Sequence, residues 1–154
     1  MAKRFVFVRH GDYAKAGLNP AERKTEPLTE LGASQALEAG EWLKAQGIEL
    51  DEVVTTEAAR TKETADWMLM ALDHEDLRPR AMAGGFALGK SGLDEKLYAW
   101  KCLGPTVCFV GHCKQQEYCV AALGGPRLTS SQRAVLVYER EDEGSWVYLD
   151  GVIF

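Results

Sequence analysis

Long hydrophobic runs are missing from this 154-residue chain. No stretch approaches the roughly 20 apolar residues that a membrane-spanning helix needs, so no membrane partner is expected. An excess of basic charge is missing too. Lys and Arg number 18 against 23 Asp and Glu, a formal net charge of −5, which makes the general surface a poor grip for nucleic acid or an anionic bilayer. Any anion site must be local and built from particular residues. The opening "MAKRFVFVRHG" is basic, but its apolar run is too short for a signal peptide, and a cytoplasmic location is expected. Cysteine lacks pattern. Cys102, Cys108, Cys113 and Cys119 form no C-x-x-C pair, which argues against a structural zinc site. None has an arginine six positions later, the spacing of a cysteine-phosphatase loop. Reduced, mostly buried thiols are expected, with neither metal nor cofactor. Repeats, low-complexity tracts and linkers are lacking, so residues 1–154 read as one domain. That length can bury a full core without disulfide or metal staples. A monomer is expected, since no long exposed apolar face is apparent.

What is present alternates between strand and helix signals. Phe5 to Val8 reads as a buried strand. "DYAKAGLNPAERKTEP" has no apolar period and reads as a surface loop. Thr29 looks like a helix N-cap, followed by Leu31, Ala36, Leu37, Ala39, Trp42 and Leu43 at helical spacing and by a stop at Gly47. Val53 and Val54 mark a second strand. "AARTKETADWMLMAL" is a second helix with Ala58, Ala65, Met68, Leu69 and Leu72 as its inner side. A brief strand near Arg80 to Ala83 and a glycine-rich loop follow, then a short helix in "LDEKLYAWKCL". "TVCFVG" is a third clear strand and "CKQQEYCVAAL" its following helix. "RAVLVYEREDEGSWVYLDGV" reads as a hairpin. The pattern predicts a three-layer α/β/α sandwich, mostly parallel, extended antiparallel by the C-terminal hairpin.

In such a sheet, ligands collect at the carboxyl ends of the strands. The first strand ends in Arg9-His10-Gly11, the second in Thr55-Thr56 with Arg60 soon after, and the third in Gly111-His112 at the mouth of a helix. Two histidines and two arginines thus converge on one edge. Guanidinium groups pair with phosphate oxygens two at a time, and a helix N-terminus adds free N–H groups. Inside that clamp one neutral imidazole can attack phosphorus while the other hydrogen-bonds the oxygens as charge builds. Gly11 is expected to keep the approach to the nucleophile open. His74 lies apart, in a charged helix end. Trp42, Trp67 and Trp146 read as packing residues, Trp100 as a wall of the cleft, and Lys24 or Arg23 as a cation able to reach over it.

These segments resemble the histidine phosphatase superfamily, the phosphoglycerate-mutase-like fold. Arg9-His10-Gly11 after an N-terminal strand is similar to its signature. "PLTELGASQALEAGEWL" resembles its "LT-x-x-G-x-x-Q-A" helix, "VVTTEAARTKETA" its "S-P-x-x-R-A-x-x-T-A" segment with Arg60 and Thr64 in register, and "VCFVGHC" the strand carrying its second histidine. The short chain and the "RHGD" start most resemble the SixA-type phosphohistidine phosphatases. The resemblance implies that His10 is the phosphorylated nucleophile, that Arg9 and Arg60 bind the phosphoryl group with Gly11 and Thr56 beside them, and that His112 stabilises the transition state.

Two departures bear on the substrate. The Ser-Pro of the superfamily's second segment is Thr56-Glu57 here. The proton-donating glutamate that many relatives place between the second arginine and second histidine has no counterpart in "AMAGGFALG", and His112 is followed by Cys113 rather than Asp. Asp12 and Glu57 are the nearest candidate donors. An alkoxide leaving group gains about 10²–10⁴-fold from a general acid, whereas a phosphohistidine has a labile P–N bond and a leaving imidazole that solvent can protonate. A phosphohistidine-bearing protein is therefore the expected substrate. A small phosphate ester, or a non-catalytic phospho-binding scaffold, are the alternatives.

Overall fold

The computed structural model describes residues 2–74, 76–81, 105–141 and 144–154. The expected helix in "LDEKLYAWKCL", the glycine-rich loop before it, Trp100 and Cys102 lie outside these residues.

The centre of the molecule follows from side-chain alternation. In β1 (Ala2–Arg9), Phe5 and Phe7 point to one face and Val6 and Val8 to the other, and all four are buried. A strand hydrophobic on both sides needs cover on both sides. The same alternation recurs in β2 (Glu52–Thr55), in β4 (Thr106–Gly111) and in β5 (Ala134–Glu141). With β3 (Arg80–Ala81) and β6 (Val147–Ile153) they form one six-stranded sheet of order β3-β2-β4-β1-β5-β6. The left half is parallel, and β5 and β6 join antiparallel as the expected hairpin.

One face is covered by α2 (Glu30–Ala45) and α3 (Ala59–Ala71), packed on Val6, Val8, Val53, Cys108 and Val110. The other carries α4 (Cys113–Leu123) over Phe5, Phe7, Phe109 and Leu136. This is the expected three-layer sandwich. α2 begins at Thr29, whose hydroxyl accepts from Gly32 N at 3.1 Å. It ends in a Schellman motif, with Gly47 at φ 72° and Ile48 N donating to Leu43 O. Two expectations fail locally. Leu31 is 59% exposed, because the buried stripe of α2 is made of Gly32, Ala36, Ala39, Gly40 and Leu43. The segment expected as a loop contains α1 (Pro20–Thr25), a single capped turn that starts at Asn19-Pro20 and buries none of its residues. No helix among the described residues is long and apolar enough to cross a membrane.

Candidate active site

β1 and β4 lie side by side in parallel, but the helices that follow them, α2 and α4, pack on opposite faces. A crevice opens where the chain parts at the carboxyl ends of two such strands. Arg9 is paired with Gly111, so the next residue of each strand, His10 and His112, comes to the same crevice. His10 N donates to Gly111 O at 2.9 Å, and the imidazole centroids stand 5.3 Å apart with their planes inclined at 63°.

The hydrogen bonds decide which ring nitrogen of His10 is free. Its Nδ1 lies 2.7 Å from Gly11 O. A carbonyl oxygen only accepts, so Nδ1 carries the proton and the lone pair of the neutral ring is on Nε2. Burial drives the pKa of His10 well below the ordinary imidazole value. The bond to Gly11 opposes that shift, and His112, Arg60 and Arg133 add to it. The nitrogen is therefore unprotonated at neutral pH.

His112 sits at the N-cap of α4. Its Nδ1 is 3.3 Å from an Arg60 Nη2 and its Nε2 is 2.9 Å from Thr56 Oγ1. A guanidinium only donates, so Nδ1 accepts and Nε2–H donates to Thr56. The Thr56 hydroxyl passes on to Thr61 Oγ1 at 2.8 Å. Burial first, then Arg60 and Arg9, push the His112 pKa down to about 4. Thr56, expected among phosphate-binding residues, is thus engaged with His112 itself.

The arginines arrive from different parts of the chain. Arg9 is buried and donates through Nη1 to Ser130 O at 2.7 Å and Gln132 O at 2.9 Å. Arg60, on the first turn of α3, lies 4.4 Å over the Tyr13 ring and donates to Arg23 O at 2.9 Å. The Nε–H groups of both find no acceptor among the described residues. A third guanidinium, Arg133, donates to His10 O and faces Asp12 at 3.8 Å. It stands just before β5, and nothing local in the sequence marks it.

His10, His112, Arg9, Arg60 and Arg133, but not Thr56, border a cleft of about 680 Å³, whose outer cations are Lys15, Arg23 and Lys114. The half-buried Cys113 thiol also lines it. Asp12 reaches the same cleft, where its carboxylate accepts from Thr29 Oγ1 at 2.8 Å. Glu57 instead borders an adjoining hollow of about 400 Å³, paired with Lys24 at 3.3 Å. Of the two cations expected to reach over the pocket, Arg23 lines the main cleft and Lys24 the hollow alone. Gly11 also meets a backbone contact. A Cβ there would stand 2.3 Å from Gly32 O, so the glycine lets the His10 loop lie against the first turn of α2. Gly11 N donates to Thr64 Oγ1 at 2.9 Å, which ties that loop to α3 as well. Among the described residues no three His, Cys, Asp or Glu side chains are grouped to hold a metal.

A strand-end histidine pair set among arginines in this sandwich defines a class, and residues 5–82 match it directly: the chain belongs to the histidine phosphatase superfamily (branch 1). Among particular relatives, it is 36% identical over 74 residues to the serine/threonine-protein phosphatase Pgam5, mitochondrial, of Drosophila ananassae. That match covers 48% of this chain, and only 25% of the length of that relative. The protein histidine phosphatase SixA, solved with tungstate, is similar over 97% of this chain and 96% of its own, at TM-score 0.71 and 25% identity. A phosphoglycerate mutase of Bacillus anthracis shares the fold at TM-score 0.71 and 15% identity, with 97% and 92% covered.

Proposed function

We propose that this chain is a metal-independent phosphatase that works through a phosphohistidine at His10, and that its preferred substrate is a protein bearing phosphohistidine. One observation carries the reading: His10, with a free lone pair on Nε2, lines one cleft with a second neutral imidazole and with the guanidinium side chains of Arg9 and Arg60. In the proposed first step Nε2 forms a bond to phosphorus while the bond to the leaving group breaks, and the leaving group takes its proton from solvent. In the second step water attacks phosphorus, the P–Nε2 bond breaks, and neutral His10 returns. Arg9 and Arg60 bind the phosphoryl oxygens. A dianion drawn to Arg60 frees His112 Nδ1 and offsets the cationic surroundings that depress its pKa, so Nδ1 takes a proton from solvent, donates it to an equatorial oxygen as charge accumulates there, and returns it to solvent when phosphate leaves. Thr56 holds His112 in the orientation that makes this possible.

Among the described residues no unpartnered carboxylate stands at the histidine pair, which favours the phosphoramidate. Asp12 and Glu57 are already partnered by Thr29 with Arg133 and by Lys24. The fold-wide likeness to a protein histidine phosphatase supports the same choice. The Pgam5 relatives favour a second reading, hydrolysis of phosphate esters. Incubation in EDTA with a phosphorylated histidine domain, an aryl phosphate and a sugar phosphate separates the two. Turnover of the first alone supports the preferred reading, and turnover of all three supports the broad phosphatase. Binding without turnover supports a phospho-binding scaffold. His10→Ala is expected to drop every turnover to background.

A further inference from the structure

We propose that Arg133 is a third phosphoryl-binding residue of this site, brought to the nucleophile by the antiparallel half of the sheet. The inference rests on the phosphatase reading above and deepens it. Three observations support it.

First, the residue is held in place before any ligand arrives. The turn that precedes β5 is pinned by Arg9, which donates to Ser130 O and Gln132 O, and by Gln116 of α4, which donates to Gln132 O at 2.9 Å. Arg133 O accepts from Phe154 N at 2.8 Å. Second, its donors are under-used. A guanidinium has five N–H groups. Among the described residues only Nη1 of Arg133 is within hydrogen-bond range of a partner, at His10 O and 3.5 Å from His10 Nδ1. Since that Nδ1 already donates to Gly11, it offers Arg133 no lone pair. The facing Asp12 oxygen, at 3.8 Å, is too far for a hydrogen bond. The side chain is nevertheless only 13% exposed and borders the cleft. Third, like charges are gathered here. Burial and the neighbouring Arg9 both lower the pKa of Arg133, while Asp12, Cys113 and Tyr13 oppose them. Cations held this close in a partly desolvated site repel each other until an anion lies between them.

A metaphosphate-like transition state spreads its charge over three equatorial oxygens. Arg9 and Arg60 bring two guanidiniums, and Arg133 supplies the third from the His10 side. It contacts the nucleophile's own backbone carbonyl, so it couples the position of the phosphoryl group to the position of His10.

Tungstate affinity, measured by titration calorimetry at fixed salt, tests this. Arg133→Gln is expected to weaken tungstate about 10- to 100-fold, the size of losing a hydrogen bond to a charged group, with Arg133→Lys in between. A structural ion pair and an anion-binding guanidinium differ in sign at its partner. If Arg133 serves only to pair with Asp12, Asp12→Asn weakens tungstate as Arg133→Gln does. If Arg133 binds the anion, Asp12→Asn leaves affinity unchanged or improves it. Lys15→Gln, at an outer cation of the cleft, controls for long-range charge and is expected to lose less, with that loss vanishing in high salt. Wild-type affinity in Arg133→Gln, or parallel losses in the Arg133 and Asp12 variants, overturns this proposal alone. Failure of the wild type to bind tungstate overturns the phosphatase reading with it.

Discussion

Two imidazoles five ångströms apart would ordinarily compete for protons near neutral pH. Here both are kept neutral by burial and by the arginines around them. The difference between them lies in their bonds. His10 Nδ1 donates to a backbone carbonyl, which leaves the lone pair of Nε2 free for the proposed attack, whereas His112 is held between Thr56 and Arg60 with its Nδ1 accepting from the guanidinium. If His10 is the nucleophile proposed above, its staying unprotonated in mild acid has a visible consequence. The acid limb of kcat/KM, corrected for substrate ionisation, is expected to fall well below the ordinary imidazole value of about 6.5. A limb at 6.5 would contradict the burial of His10. His112→Asn is expected to lose about 10²–10³ in kcat, the usual cost of one oxyanion donor, and Thr56→Val to lose less, since Thr56 acts through His112.

The elements are held at their angles by glycines whose missing Cβ atoms lie at helix contacts. Gly40 of α2 abuts α3, where a Cβ would stand 2.5 Å from Met68 O and 2.7 Å from the Ala71 Cβ. Alanine there adds about 1 kcal/mol of helix propensity, but overpacking costs about 1–3 kcal/mol, and a backbone carbonyl cannot rotate away. Gly40→Ala is therefore expected to lower the urea midpoint with kcat unchanged. Gly11→Ala is expected to lower both, because the 2.3 Å clash with Gly32 O displaces the loop that carries His10. Equal loss of activity in both variants would show that the α2–α3 contact, rather than the Gly11 loop, positions His10.

At the scale of the whole molecule, the same histidines set the pH dependence of stability. The unfolded chain protonates them near 6.5, while the folded chain resists protonation, down to about 4 for His112. Between these values the unfolded state binds more protons, so stability rises with pH there and falls as pH drops from 6.5 toward 4. Urea midpoints at pH 7.5, 6 and 4.5 are expected to decline in that order. His112→Asn should flatten the decline, and an unchanged slope in that variant would place the acid sensitivity elsewhere.

The residues that lie at the ends of strands were legible in the sequence because their signals are local. Four apolar residues before Arg9-His10 and the "TVCFVG" run before His112 announce buried strands, and a polar residue just past a buried strand belongs to the rim of the sheet. The order of the described strands with α2, α3 and α4, the terminal hairpin and the inner face of α3 were available for the same reason. Even α1 had its local signal in Asn19-Pro20 and Glu22, but a single turn that buries nothing has no apolar period to support it. Only the folded chain decided what depends on pairing. The parallel ladder of β1 with β4 brings His10 beside His112, and the antiparallel ladder of β1 with β5 brings Arg133 beside His10 from 123 residues away. The free nitrogen of His10, the attachment of Thr56 to His112 and the backbone contact that requires Gly11 follow from those ladders and from helix packing. An arginine before a strand looks the same in sequence whether it faces solvent or a nucleophile, because the difference lies in which strand becomes its neighbour.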